Sequence, residues 1–159
     1  MSAERFSLDT NILVYALDAS AGRKHVIAAE IVDRAIEADC VLTLQSLSEF
    51  YVATTREGIV AKADAAAQVE DWLLLFPTLS HSPSAVRSAL ADSVAGRASY
   101  WDALLVATAA EAGCAVVLSE HMADGGTVAG VRIVNPFGAD GLTEEAEAVL
   151  TGETGPSGS

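Results

Sequence analysis

Apolar positions along the chain fall into two patterns, a helical period in some stretches and short unbroken runs in others. From Lys24 to Ala38, Ile27, Ile31 and Ala35 recur at four, flanked by Val32 and Ile36, while Glu30, Asp33, Arg34 and Glu37 face away. That is the period of an amphipathic helix. Further helices are predicted from Asn11 to Leu17 with Asn11 as cap, from Ser46 to about Glu57 with Gly58 as stop, and from Ala61 to about Phe76. Others run from Pro83 to about Ala95, from Tyr100 to Ala112 between Ser99 and Gly113, and from Thr143 to Leu150. Between them lie Phe6-Ser7-Leu8, Cys40-Val41-Leu42-Thr43-Leu44, Ala115-Val116-Val117-Leu118 and Val131-Arg132-Ile133-Val134. These have strand length, and the Cys40 run is continuously apolar, as in a parallel sheet. Leu79-Ser80-His81 reads as one more short strand.

Strands alternating with helices give an α/β fold, a three-layer sandwich with a mostly parallel central sheet. Ligands of such sheets bind at the carboxyl ends of the strands. Asp9 follows the first strand and the acidic stretch at 119–124 follows a later one, so both fall on that edge. The 159 residues make one domain, expected over 1–142. Residues 143–159 add a short helix and a tail, and from Thr151 on the Gly/Ser/Thr/Pro-rich composition predicts disorder.

Charge narrows the function. Twenty-two acids against 9 bases leave a net charge of -13. Such a surface repels nucleic acid unless something compensates, and it favours a metal ion or a basic protein partner. The bases are scattered, with no basic stripe. Arg56 and Arg97 stand nearest the acidic motifs and are candidates for phosphate contact, although solvation or ion pairing is the favoured reading. Cys40 and Cys114 read as small core residues of a reducing compartment. No apolar run approaches the roughly 20 residues of a membrane helix, and Met1-Ser2-Ala3-Glu4-Arg5 shows no signal-peptide pattern. A soluble, cytoplasmic protein is expected.

Three acids stand where a shared pocket would gather them: Asp9 after the first strand, Glu49 in Ser46-Leu47-Ser48-Glu49, and Asp102 in Ser99-Tyr100-Trp101-Asp102. Carboxylates dispersed in sequence and gathered in space suit Mg²⁺ or Mn²⁺, which prefer hard oxygen ligands. Each acid also has a purely structural reading. Asp9 suits an Asx-turn or cap, and the Glu49 and Asp102 segments match the capping box. Glu120 and Asp124, in Ser119-Glu120-His121-Met122-Ala123-Asp124-Gly125, are candidate fourth ligands or simple loop residues. Thr10, Asn11 and Ser119 can hydrogen-bond a phosphate or orient a carboxylate. His121 stays open between surface residue and ligand, while His25 and His81 carry no metal spacing.

Together these pieces resemble the PIN-domain nucleases, in particular the VapC-like toxins of toxin–antitoxin pairs. Leu8-Asp9-Thr10-Asn11-Ile12-Leu13-Val14-Tyr15, Ser48-Glu49-Phe50-Tyr51 and Tyr100-Trp101-Asp102-Ala103-Leu104-Leu105-Val106-Ala107 carry the resemblance. The stretch from Leu118 to Gly125, followed by Val131 to Phe137, extends it, so that it spans about residues 6–137. The resemblance implies a metal-dependent ribonuclease that hydrolyses RNA phosphodiester bonds with metal-activated water. Asp9, Glu49 and Asp102 match the three core acids. The family often has Asp where His121 stands, which leaves Glu120 or Asp124 as replacements or His121 tuning a water. A cognate antitoxin and a homodimer are implied as partners. Two other functions compete. One is a PIN-like binding module degraded at His121. The other is an aspartyl phosphatase, which would want Asp where Asn11 stands.

Overall fold

The computed structural model describes residues 3–152; the tail expected to be disordered lies, from residue 153 on, outside the described residues. Six short strands and seven α-helices follow in the order β1 (Phe6–Leu8), α1 (Thr10–Leu17), α2 (Arg23–Ile36), β2 (Leu42–Thr43), α3 (Leu44–Arg56), α4 (Lys62–Leu75) and β3 (Thr78–Leu79). Then come α5 (Pro83–Val94), α6 (Tyr100–Glu111), β4 (Val116–Leu118), β5 (Thr127–Val128), β6 (Val131–Val134) and α7 (Glu144–Thr151).

One sheet runs β1-β4-β6-β5 and a second pairs β2 with β3. A parallel bridge between Phe6 and Cys40 joins the two, backed by Val41 N–H donating to the Phe6 carbonyl at 3.0 Å. The combined order is therefore β3-β2-β1-β4-β6-β5, parallel except for β5. The chain leaves β1 towards β2 and β3, then returns to the other side of β1 with β4. A crevice opens at such a reversal, outside the strand ends.

Alternation along the strands builds the three layers. Phe6, Leu8, Val116, Leu118 and Val134 pack with Ile12 and Leu13 of α1, Ile27 and Ile31 of α2, Phe50 of α3, Trp72 of α4 and Leu150 of α7. Val117, Ile133 and Val131 face the other way, against Leu105, Val106 and Ala109 of α6. Helix α5 packs behind α6 through Ala85 and Ala89. Helix α6 is apolar nearly all round, as a helix covered on two sides must be. Gly113, at φ +83°, ends it in a left-handed turn that favours glycine. No helix among the described residues is long and apolar enough to cross a membrane.

Several expectations shift locally. Cys40 to Leu44 is not one strand: β2 holds only Leu42–Thr43, and Leu44 already begins α3. The Thr43 hydroxyl accepts from Ser46 N–H at 3.1 Å, so Thr43, three residues before the expected Ser46, caps the helix. At α1 the cap is Asp9 rather than Asn11, through its contact with Thr10 N–H. β3 forms at Thr78–Leu79, where Leu42 N–H reaches the Pro77 carbonyl. The small strand β5 closes a hairpin onto β6 that the sequence pattern does not signal. Cys40 and Cys114 are free and buried. Burial pushes both thiols up, that of Cys114 to about 11.

Candidate metal centre

Strands β1 and β4 lie side by side in register, Leu8 opposite Leu118. The residues that leave their carboxyl ends therefore start as neighbours. Asp9 is only 2% exposed. Its Oδ1 accepts from Thr10 N–H at 2.7 Å and its Oδ2 accepts from the Ser119 hydroxyl at 2.7 Å. Burial pushes the Asp9 carboxyl above its ordinary value, and nearby Asp102 adds to that. The Ser119 and Thr10 hydrogen bonds and the charge of His121 offset part of the rise.

Asp102 enters from the first turn of α6. Ser99 caps the helix by accepting from Asp102 N–H at 3.3 Å. The Asp102 carboxylate turns away from the cap and meets His121, whose Nε2 lies 2.9 and 3.0 Å from its two oxygens. The other ring nitrogen, Nδ1, lies 3.1 Å from Asp9 Oδ2. One imidazole thus bridges two acids that are 93 positions apart in sequence. Burial lowers the His121 pKa, but the hydrogen bond to Asp102 and the charges of Asp9, Asp102 and Glu49 outweigh it and hold it above the ordinary histidine value.

Asn11 completes the contact. Its Nδ2 lies 3.1 Å from His121 Nδ1, and its Oδ1 is buried without a partner. Which amide atom faces the ring is a matter of the hydrogen-bond network. With both ring nitrogens protonated and donating, the carbonyl oxygen is the atom that belongs there.

Glu49 stands at the edge of this group. It does not close a capping box: Thr43 is the cap, and Glu49 falls in the second turn of α3. Its carboxylate instead accepts from the Thr10 hydroxyl at 3.1 Å and from Gln45 Nε2 at 2.7 Å. Thr10 and Ser119 therefore spend their hydroxyls on carboxylates, the orienting one of their two expected roles.

Glu120 and Asp124 are not brought to the cluster. Glu120 pairs with Lys24 at 2.7 Å and accepts from the Tyr15 hydroxyl at 2.8 Å. Burial raises its pKa, but the hydrogen bonds from Lys24 and Tyr15 and the Lys24 charge bring it below the ordinary value. Asp124 accepts from Asn135 N–H at 2.9 Å and holds the turn before β5. Arg97 pairs with Asp92 at 2.8 Å, as the favoured reading expected, and lines a recess beside Asp102 and His121.

A sequence profile of the PIN domain matches residues 7–121, from the first strand through His121. The chain belongs to the PIN-domain family. Solved structures with the same fold include VapC20 of Mycobacterium tuberculosis, described as a sarcin–ricin loop cleaving toxin. It is 16% identical, with a TM-score of 0.59 over 76% of this chain and 90% of that one. A toxin–antitoxin complex from Klebsiella pneumoniae is 19% identical, with a TM-score of 0.56 over 82% of this chain and 97% of that one. DNA-bound VapBC from Salmonella typhimurium is 17% identical, with a TM-score of 0.58 over 82% and 96%. At these identities the likeness is one of fold. No curated protein matches the chain in sequence.

For a PIN domain the donor set is a fair fit to a divalent metal. One ligand atom each from Asp9, Asp102 and His121 lies within 4.8 Å of the other two. Two hard oxygens with one imidazole nitrogen suit Mn²⁺ or Zn²⁺ better than Mg²⁺. The Asn11 amide, 3.1 Å from the His121 ring, offers a further oxygen once its carbonyl faces that side. Sequence reading left His121 open and passed over Gln45, which ties Glu49 to the α6 backbone by donating to the Trp101 carbonyl at 2.9 Å. No local signal marks that link, because Gln45 and Trp101 meet only through the fold.

Proposed function

We propose that this PIN-domain chain is a divalent-metal-dependent endoribonuclease, the cytoplasmic toxin of a toxin–antitoxin pair, with residues 1–142 as its nuclease domain. The observation that carries the reading is the meeting of Asp9 and Asp102 at the carboxyl edge of β1 and beside β4, with Glu49 bound to the neighbouring Thr10. Asp9, Glu49 and Asp102 are the catalytic acids of this proposal, and Asp9 and Asp102 are the metal ligands, with His121 in the place left by Glu120 and Asp124. Mg²⁺ or Mn²⁺ held there would supply Lewis-acid activation of water and charge stabilisation at the scissile phosphate.

The chain's own residues do the positioning. Ser119 and Thr10 N–H fix both oxygens of Asp9, so its buried carboxylate presents one orientation. The Thr10 hydroxyl and Gln45 do the same for Glu49. His121 must give up its proton before it can act as a ligand, because a protonated imidazole has no free lone pair. A bound cation also puts positive charge where phosphate must approach a protein of net charge -13.

The antitoxin of this proposal is a basic protein. Charge complementarity favours it, and the Asp9–Asp102 pair is a natural receptor for an inserted Arg. The Klebsiella and Salmonella relatives, described as a toxin–antitoxin complex and as VapBC, support a partnered state, and a homodimer goes with it.

A second reading is a PIN-like module with impaired catalysis. The His121 ring favours it, since it occupies the space between the two carboxylates. One experiment separates the two. Purified chain is incubated with structured RNA in Mg²⁺, Mn²⁺ or chelator beside an Asp9→Asn control. Cleavage that needs metal and Asp9 supports the nuclease; cleavage that survives chelator or Asp9→Asn points to a contaminant, and absence of cleavage and of Mn²⁺ binding supports the module.

A further inference from the structure

The nuclease reading leaves a difficulty, and Trp101 answers it. Of the nine bases, Arg5, Lys24, Arg34, Arg97 and Arg132 are each held by an acid. Of the other four (Arg23, Arg56, Lys62 and Arg87), Arg56 lines a recess with Thr10 and Glu49, so few free bases stand near the site to hold an RNA backbone. A bound cation and Arg56 can meet a phosphate at the site, and further affinity has to come from the nucleobases, through contacts that phosphate repulsion does not cancel.

Trp101 is 62% exposed, beside the candidate ligand Asp102. An exposed indole is costly to leave in water, and the other tryptophan, Trp72, is 2% exposed in the core. The Trp101 position is firmly set. Its backbone carbonyl accepts from Gln45, which also holds Glu49. Its ring packs against Tyr100 at 5.1 Å between centroids, at 76°. The ring lines a shallow open recess of about 350 Å³ with Gln45, Ser48 and Glu49. That recess adjoins the acidic cluster through Glu49.

Resting on the nuclease reading, we infer that Trp101 is a stacking platform for an unpaired base of single-stranded RNA, next to the phosphate to be cut. Every base has a π-face, so such a platform is tolerant of sequence, and it requires the base to be unstacked from a helix. The substrate class is therefore single-stranded or looped RNA. Trp101 is a substrate-positioning residue; the acids are untouched by its loss.

The test uses the full chain in the Asp9→Asn background, in Mn²⁺, with a mixed-sequence oligoribonucleotide of about 12 nucleotides and the same strand annealed to its complement. Quenching of tryptophan fluorescence reports Trp101, since Trp72 also emits but is buried out of reach of a stacked base, and anisotropy of an end-labelled strand gives the affinity of every variant. The single strand should quench it, and Trp101→Ala should weaken binding about tenfold while Trp101→Phe retains most of the affinity. The duplex should bind weakly and indifferently to the substitution. With Asp9 restored, Trp101→Ala should raise KM for cleavage and leave kcat nearly unchanged. Binding without quenching, or equal binding by Trp101→Ala, overturns the platform and leaves the nuclease intact. Unchanged RNA affinity with loss of a co-purifying protein from Trp101→Ala also overturns it and makes Trp101 a protein anchor. If no form binds RNA and wild type cleaves none, both readings fall.

Discussion

Nε2 of His121 lies 2.9 Å from one oxygen of Asp102 and 3.0 Å from the other, so a single ring nitrogen spans both edges of that carboxylate. The contact makes His121, when protonated, the counter-charge of the acidic cluster. It also makes His121 the group any metal must displace or recruit.

Replacing His121 by Asp should therefore shift the site towards Mg²⁺. The substitution adds a hard anionic ligand and removes a competing cation, which should tighten Mg²⁺ by about tenfold or more. Calorimetric titration of wild type and His121→Asp measures it. Equal Mg²⁺ affinity in the two would mean that His121 stands outside the metal's reach.

The metal-free protein should lose stability as pH rises across the titration of His121. Its pKa is raised in the fold above 6.5, by Asp102 and the neighbouring charges against the opposing effect of burial. The stabilisation is fully present below the unfolded value and disappears as pH passes the higher folded value. Melting temperatures of wild type and His121→Gln in chelator, taken between about pH 5 and 9, should converge towards the alkaline end. A difference that stays constant with pH would remove the imidazolium from the account.

Asp9→Asn should abolish cleavage without unfolding the chain. Asparagine keeps an acceptor for Thr10 N–H, and the Ser119 hydroxyl can turn to accept from the new amide. Burial, which raises the Asp9 pKa by penalising its charge, has no charge left to penalise, so the melting temperature in chelator should hold or rise. Activity should fall on the order of 100-fold or more. A large drop in melting temperature would instead give Asp9 a structural role.

Glu49→Gln and Thr43→Ala should separate function from helix capping. Thr43 is the α3 cap, so its loss should cost about 1 kcal/mol. Glu49 caps nothing, so Glu49→Gln should change stability by no more than about 0.5 kcal/mol while lowering RNA cleavage. Denaturant melts beside cleavage rates check both. The reverse pattern would restore the capping role for Glu49.

Glu120→Gln should leave metal affinity within about threefold of wild type, a difference of roughly 0.7 kcal/mol, because Glu120 is engaged by Lys24 and Tyr15. A metal titration that collapses in this variant would show that Glu120 leaves those partners to join the site.

The order of strands and helices, the three-layer class and the placement of Asp9 after β1 were legible in the chain, because hydrophobic period and strand-end position are local properties. The apolar repeat of Lys24–Ala38 and the signals at Ser99 and Gly113 locate α2 and α6 without tertiary information. The Ser46–Glu49 capping box was not decided by spacing: it competes with Thr43, and the pairing of β2 with β3, which ends β2 at Thr43, settles the helix start. The fourth position of the site was equally out of reach. Glu120, His121 and Asp124 lie within five residues and differ little as sequence. Tertiary structure brings Lys24 and Tyr15 to Glu120, Asn135 to Asp124, and both Asp9 and Asp102 to His121. Local pattern encodes which residues can ligate; only the packing of distant elements decides which of them are left free to do so.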